Sequence, residues 1–180
     1  MGQGYTVRIL AEIDRQSNVP HYGKIARREA VRGVIPRGQE LLMVHSTFDG
    51  GYKFPGGGIE QDEPHETALY REIGEENGAE LLSILQEYGK TIEYDFPVEK
   101  NYDVFCMTSY CYICEINPNL GDQHLDAYEA ELGFAPSWVN IDVAIKNNYS
   151  ILNSSDRKTQ WWVRRETQVL ELIKKELAQA

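Results

Sequence analysis

A run of three glycines directly before an acidic helix is the feature that most constrains how this chain folds. Gly56-Gly57-Gly58 is followed, after a short polar stretch, by a segment from Glu63 to Asn77 that has the composition of a helix. Pro64 suits the first helical turn, and Gly78 suits the position just past the last one. Because glycine has no Cβ, backbone in the glycine run can approach a neighbouring group closely. We therefore predict a glycine loop that leads into a helix ending at Asn77.

Three glutamates lie on one face of this helix. At about 100° per residue, Glu75 and Glu76 fall about 60° and 40° to either side of Glu72. Like charges at these spacings destabilise a helix by roughly a few tenths of a kcal/mol per pair. A solvated acidic face is the simpler interpretation, but a hard divalent cation such as Mg²⁺ or Mn²⁺ would remove the repulsion, because these ions prefer oxygen ligands. The pattern favours a metal site.

The spacing of these residues resembles the Nudix box, the signature of the Nudix hydrolases. The matching positions are Gly57, Glu63, Arg71, Glu72, Ile73, Glu75, Glu76, Gly78 and Ala79. Ala79 is small for the final apolar position, a departure that affects packing only. The resemblance implies an α/β (α+β) fold: a Nudix-like α/β/α sandwich with a mixed central sheet. It also implies hydrolysis of the phosphoanhydride bond in a nucleoside diphosphate linked to another group.

The resemblance further implies roles for individual residues. The metal ligands it implies are Gly56 through its carbonyl oxygen, Glu60 through water, and the side chains of Glu72, Glu75 and Glu76. Arg71 would orient a neighbouring carboxylate, and Glu63 would brace the loop. Gly57 and Gly78 would be structural.

The general base stays open, because members of the family place it either in the box or on a later loop. Glu72, Glu129 and Glu131 are the three alternatives, and Glu131 is our first choice because it lies just before the strand around Trp138. The catalytic set is therefore Glu72, Arg71 and Glu131. A bound Mg²⁺ or Mn²⁺ would neutralise phosphate charge and acidify an attacking water.

The basic residues between positions 24 and 37 give two interpretations. Arg28 and Arg32 lie on one face of a predicted strand, and arginine pairs bidentately with phosphate. We predict that these two arginines bind the substrate. The alternative is a strand edge whose charges prevent pairing with another chain.

The net charge of the chain indicates which kinds of molecule it binds. The formal charge is −10 and the isoelectric point is about 4.9. Proteins that bind a polyanionic backbone are normally basic, so we predict no nucleic acid polymer as a partner. The resemblance implies a small-molecule nucleotide substrate: a nucleoside triphosphate, a dinucleoside polyphosphate or a nucleotide sugar. We favour a triphosphate, because one compact domain has less room to recognise both sides of a larger substrate. No segment has the length and apolarity of a membrane span, and no secretion signal is evident, so the expectation is a cytoplasmic protein without membrane contact.

The rest of the chain predicts one domain over residues 1–180. Residues 1–23 would form a strand and a connector, and residues 156–178 a C-terminal amphipathic helix whose apolar stripe serves the core or a homodimer contact. Leu81 to Tyr94 and Val104 to Ile116 read as an antiparallel strand pair, followed by an acidic loop to Glu131. Cys111 and Cys114 lie three residues apart on a strand, hence on opposite faces, which favours buried thiols over a zinc site.

Two rival functions remain open. A Nudix domain can serve as a non-catalytic nucleotide sensor or interaction module, which would bind nucleotide without turnover. An activity resembling that of isopentenyl-diphosphate isomerases would instead need a positioned cysteine and glutamate acting on carbon. Product identification separates both from hydrolysis.

Overall fold

Two four-stranded sheets and four helices make up the described part of the chain. The computed structural model describes residues 6–154 and 161–179. The strands are β1 (Ile9–Asp14), β2 (Ile25–Val34), β3 (Pro36–Arg37), β4 (Glu40–Ser46), β5 (Tyr52–Lys53), β6 (Leu81–Asp95), β7 (Val104–Ile116) and β8 (Phe134–Asn140). The helices are α1 (His65–Asn77), α2 (Ala127–Glu131), α3 (Ile141–Leu152) and α4 (Trp162–Leu177).

The first sheet has the strand order β1-β6-β7-β2. Its centre is the antiparallel pair β6–β7, which confirms the predicted strand pair, and β1 and β2 flank it in parallel. In the second sheet β4 pairs with β3, β5 and β8, all antiparallel. Parallel and antiparallel pairing within the first sheet makes it mixed, so the predicted α+β fold with a mixed sheet is confirmed.

Helix α1 lies against both sheets and carries the acidic face. Leu69 and Ile73 are fully buried in a core with Val31 of β2 and Leu42 of β4. The helix starts at His65 rather than at Glu63, because Pro64 has an extended backbone and forms the N-cap. Gly78 ends it in the left-handed conformation (φ 61°), and its N–H donates to the Gly74 carbonyl. A Cβ there would also overlap the Gly121 backbone, so this close contact requires glycine.

The apolar stripe of helix α4 packs against other elements of the same chain. Val169, Leu170 and Ile173 are buried in a core with Leu10 of β1 and Val34 of β2. The C-terminal helix predicted over 156–178 is therefore present from residue 162, and residues 156–160 lie outside the described residues. So do residues 1–5 of the predicted segment 1–23. The homodimer contact stays a prediction. No helix among residues 6–154 and 161–179 is long and apolar enough to cross a membrane.

The three cysteines are buried free thiols. Cys111 packs in the core under α4, whereas Cys114 packs in the core under α1, which confirms that they lie on opposite faces of β7. Burial raises the pKa of both thiols to about 12. A thiol with such a pKa is neither a thiolate ligand nor a nucleophile near neutral pH.

A buried ionic network joins α4 to the sheet. The Arg165 guanidinium donates to the Glu93 carboxylate at 2.9 Å and also bonds Glu166, and all three side chains are at most 2% exposed. Arg15 donates to Glu93 at 3.1 Å. Burial acts to raise the pKa of Glu93, but Arg165 and Arg15 outweigh it and lower the pKa. The ion pairs of Glu93 therefore stabilise the fold at pH values above the ordinary pKa of glutamate. This stabilisation is lost as the pH falls through the lowered pKa of Glu93.

We predict that Arg165→Met lowers the free energy of unfolding by about 3–5 kcal/mol, because two carboxylates stay buried without their central partner. The measurement is urea unfolding at neutral pH. Arg164→Met is the matched control: Arg164 is the neighbouring arginine on the same helix but is exposed, so the change should stay within about 1 kcal/mol. Equal losses of unfolding free energy in the two variants would contradict a special role of the buried Arg165 network.

Candidate functional site

A polar cavity of about 750 Å³ lies where the glycine loop meets α1, α2 and β2. Its wall includes the predicted residues Gly56, Gly57, Glu60, Arg71, Glu72, Glu75, Glu76, Arg28 and Arg32. Residues from distant parts of the chain are thus brought to one place. Of the other predicted residues, Glu63 contacts this wall through Arg71, Gly78 ends α1, and Glu131 is not part of the cavity lining.

Three carboxylates converge in this cavity. One oxygen each from Glu72, Glu76 and Glu129 lies within 4.8 Å of the others. Glu72 is 8% and Glu76 1% exposed. Clustered carboxylate oxygens are the ligands that hard divalent cations prefer. The donor set therefore fits a metal such as Mg²⁺ or Mn²⁺.

Glu76 is held by groups from the segment in front of the helix. Lys53 donates to one of its oxygens, and the Gly56 N–H donates to the other at 2.7 Å. Lys53 is itself 8% exposed, so this is a buried ion pair between β5 and α1. Its geometry fixes the Glu76 side chain in one rotamer beside the glycine loop.

Glu72 is packed directly against that loop. A Cβ at Gly57 would overlap the Glu72 carboxylate, so only glycine allows this approach. Arg71 donates to Glu72 at 2.6 Å. Burial raises the pKa of Glu72, and Arg71 counteracts part of this shift. A cation in the cavity would favour the charged form further.

Arg71 ties the loop to the helix. Its guanidinium binds Glu63 through two hydrogen bonds of 3.0 and 2.8 Å, and it donates to the Gly58 carbonyl at 3.0 Å. Glu63 in turn accepts from the Glu60 N–H at 3.0 Å. These contacts hold the backbone of the glycine loop at a fixed distance from the carboxylate cluster.

Glu129, and not Glu131, lies in the carboxylate cluster. The Asp126 side chain accepts from the Glu129 N–H at 2.8 Å, and the Glu129 side chain accepts from the Asp126 N–H at 3.0 Å. This capping box begins α2 and orients Glu129 towards Glu76. Burial and the Glu76 carboxylate raise the pKa of Glu129. Glu131 ends α2 and is exposed.

Two of the predicted ligands lie at the margin. The Glu75 side chain is 43% exposed and lies 3.4 Å from Arg71, outside the group of three converging carboxylates. Glu60 lines the cavity but is exposed. Helical geometry predicts Glu75 on the same face as Glu72 and Glu76. In the structure, α2 brings Glu129 to Glu72 and Glu76, and Glu75 lies to one side of this group.

Arg32 differs from Arg28 in its surroundings. It is 5% exposed, and its Nε and Nη1 atoms have no hydrogen-bond partner among residues 6–154 and 161–179. Burial lowers its pKa, and the nearby Arg165 adds to this effect. Arg28 is exposed and lies against Gly58. A guanidinium in the cavity wall that is not neutralised by a carboxylate partner among the described residues is suited to attract an anion.

Several residues of the cavity wall were not predicted from the sequence, and Lys53 and Trp161 are two of them. Lys53 is a charged residue within the apolar stretch Tyr52-Lys53-Phe54, a position that indicates a buried partner. Trp161 lies just before α4, lines the cavity and is 43% exposed. The sequence alone does not distinguish it from an aromatic residue of the core. The Asp126-x-x-Glu129 spacing could have predicted the start of α2, since it is the pattern of a capping box.

Comparisons with known proteins agree with this geometry. A family model described as "NUDIX domain" matches residues 26–161. An RNA pyrophosphohydrolase of Sulfurovum sp. (strain NBC37-1) is 43% identical over 63 residues, 34% of this chain and 40% of the relative. One of Campylobacter jejuni subsp. doylei is 42% identical over 65 residues, 34% and 42% of the two chains. The chain thus spans about two fifths of the length of the curated relatives it matches.

A solved structure supports the fold. A NUDIX hydrolase from Nitrosomonas europaea superposes with a TM-score of 0.55 at 19% identity, covering 84% of this chain and 90% of that one.

The prediction that excluded nucleic acid polymers is wrong. It is contradicted by matched relatives that carry the name RNA pyrophosphohydrolase. It was drawn from the net charge of the whole chain, whereas binding depends on the charges near the site. Here, the arginines Arg28 and Arg32 lie in the cavity itself.

We predict that Glu76→Gln weakens Mn²⁺ binding at least about tenfold, the loss that even an outer-shell partner of a metal causes. Isothermal titration with Mn²⁺ measures it. Glu75→Gln is the matched control on the same helix and should show a smaller loss, because its exposed charge is screened. A loss with Glu75→Gln as large as that with Glu76→Gln would instead support the ligand set implied by the Nudix box alone.

Proposed function

The chain belongs to the NUDIX domain family, and we propose that it hydrolyses a phosphoanhydride bond of a 5′-triphosphate group, with the 5′ end of an RNA as the preferred carrier. The observation that carries the proposal is that the buried Arg32, with two donors that are unpaired among the described residues, lines the cavity that also holds Glu72, Glu76 and Glu129. An anion-binding arginine beside a cluster of carboxylates suits a phosphate ligand accompanied by a cation.

The choice of an RNA end rests on the named relatives and on bond chemistry. The linkages within an RNA chain are phosphodiesters, so a phosphoanhydride bond is expected at the 5′ end, as in a 5′-triphosphate. A nucleoside triphosphate carries the same group and is the small-molecule alternative. Both substrates would place the same phosphates beside Arg28 and Arg32.

In the proposed mechanism, different residues bind the phosphates and hold the cation. Arg32 and Arg28 would bind phosphate oxygens and align the triphosphate. Glu72 and Glu76 would hold the divalent cation, Mg²⁺ or Mn²⁺, with Gly56 at the same wall. When bound, such a cation neutralises phosphate charge and acidifies water.

Glu129 is the proposed general base and replaces Glu131 in that role. Its raised pKa favours proton uptake from an attacking water, because a base works best when its pKa approaches the working pH. The capping box keeps one of its oxygens engaged with the Asp126 N–H, so the carboxylate stays oriented during proton transfer. Arg71 would act on the reaction through Glu72 and the loop, as a positioning residue.

The deciding experiment is a panel of substrates with product identification. We expect release of phosphate or pyrophosphate from triphosphorylated RNA and, with higher KM, from nucleoside triphosphates. Chelation of divalent cations should abolish turnover, and Mg²⁺ or Mn²⁺ should restore it. Nucleotide binding without any product would contradict the proposal and support the non-catalytic sensor.

We predict that Glu129→Gln lowers kcat about a hundredfold or more, the contribution typical of general base catalysis. Glutamine keeps an oxygen that can accept from the Asp126 N–H, so the helix start is preserved. Glu131→Gln is the matched control on the same helix and should leave kcat within about twofold, because an exposed carboxylate outside the cavity acts only through screened charge. The reverse order of effects would restore Glu131 as the base.

A further inference from the structure

Trp161 is a large aromatic side chain in the wall of the cavity that holds the carboxylates and the two arginines. It is 43% exposed, whereas its neighbour Trp162 is 3% exposed and packs in a core. An indole left open in a cavity wall offers a flat apolar surface to a ligand. Neither the carboxylate cluster nor the phosphate-binding arginines make use of it.

Arg15 holds this indole in place. The guanidinium carbon of Arg15 lies 3.8 Å from the centre of the Trp161 ring and 5.4 Å from that of Phe105. Arg165 adds a second guanidinium 5.2 Å from the Trp161 ring. Stacked guanidinium and indole planes attract one another, so the orientation of the ring is defined before any ligand binds.

The same buried network anchors both Arg15 and the glycine loop. Arg15 and Arg165 share the carboxylate of Glu93, at 3.1 and 2.9 Å. Arg165 also bonds Glu166, whose other oxygen accepts from the Phe54 N–H at 3.1 Å, just before the loop. The indole and the loop are therefore fixed relative to one another, which lowers the ordering cost of binding a ligand that contacts both.

The strand register gives the order of these groups along the sheet. Arg32 is paired with Cys111, Arg28 with Met107, and Ala26 with Phe105. Each two-residue step along a strand covers about 6.6 Å. Arg15 bonds Glu93, which is paired with Met107 in the row of Arg28, and its guanidinium lies over Phe105, one step further from Arg32. Trp161 contacts this guanidinium, and therefore lies towards the Arg28 end of the pair of arginines. A nucleotide with phosphates at the two arginines would extend its base towards Trp161.

We propose that Trp161 is the platform on which the nucleobase adjoining the 5′ phosphates stacks. The inference rests on the proposed function, because it takes the phosphates to bind at Arg28 and Arg32. Stacking uses the π face that every base has, so this platform selects for a base without selecting its identity. The substrates are then nucleotides or RNA ends rather than base-free polyphosphates.

The test is steady-state kinetics of Trp161→Ala. We expect KM for ATP and for triphosphorylated RNA to rise about tenfold, the effect of losing one stacked base, with kcat within about twofold. The inhibition constant of inorganic triphosphate, which has no base, should stay unchanged. Trp161→Phe keeps an aromatic face and should restore most of the KM loss.

Tryptophan fluorescence provides an independent measurement that needs no turnover and no alanine variant. ATP should quench the wild-type protein and should quench Trp161→Phe much less. Trp138→Phe is the matched control: Trp138 also stacks with an arginine, Arg37 at 3.9 Å, but lines a separate groove, so the ATP-induced quenching should persist.

Three outcomes would overturn the inference. The first is an unchanged KM for ATP in Trp161→Ala. The second is an equally raised inhibition constant for inorganic triphosphate, which would make Trp161 part of the phosphate site. The third is a KM effect confined to an alanine variant of Tyr128, an α2 residue that also lines the cavity, which would move the nucleobase to that side. Absence of hydrolysis in the wild type would defeat the proposed function instead, while the quenching comparison would still decide for or against Trp161.

Discussion

The cost of keeping carboxylates buried next to one another is the constraint on which the rest of the structure depends. An unpaired buried charge is strongly destabilising, so each carboxylate needs compensation close by. Glu76 obtains it from Lys53 and the Gly56 N–H, and Glu72 obtains it from Arg71. The compensation leaves one oxygen of each side chain within reach of Glu129. The fold thus keeps a cluster of negative charge at one edge of a stable core, where a cation can complete it.

The parts of the site that the sequence predicts are those set by local geometry. The spacing of Glu72 and Glu76 on one helix places both carboxylates on one face whatever the rest of the chain does. Gly78 ends α1 as predicted, because glycine adopts the left-handed conformation without strain. The two long strands β6 and β7 were likewise evident, since their residues carry the pattern of paired strands.

The parts that the sequence does not predict depend on contacts between distant segments. Lys53 meets Glu76 across 23 residues of sequence, and Arg165 meets Glu93 across 72. Nothing in the local sequence specifies such a pairing, because a charged residue in a strand or helix is usually exposed and has no fixed partner. Glu129 is the intermediate case: its capping box with Asp126 is a local signal, but its approach to Glu76 follows from how α2 packs. The prediction of Glu131 as the general base did not draw on that local signal.

The net charge of −10 and a polyanionic ligand are compatible because screening limits the range of surface charges to about 10 Å at ordinary salt. Within the cavity the relevant cations are Arg28 and Arg32, together with any divalent ion that the glutamates hold. Lys53 does not contribute to the same extent, because it is already paired with Glu76. The cavity lining carries six acidic side chains against four basic ones, so a bound divalent cation would favour the binding of an anion there. The net charge of the whole chain is therefore compatible with an anionic ligand at this cavity.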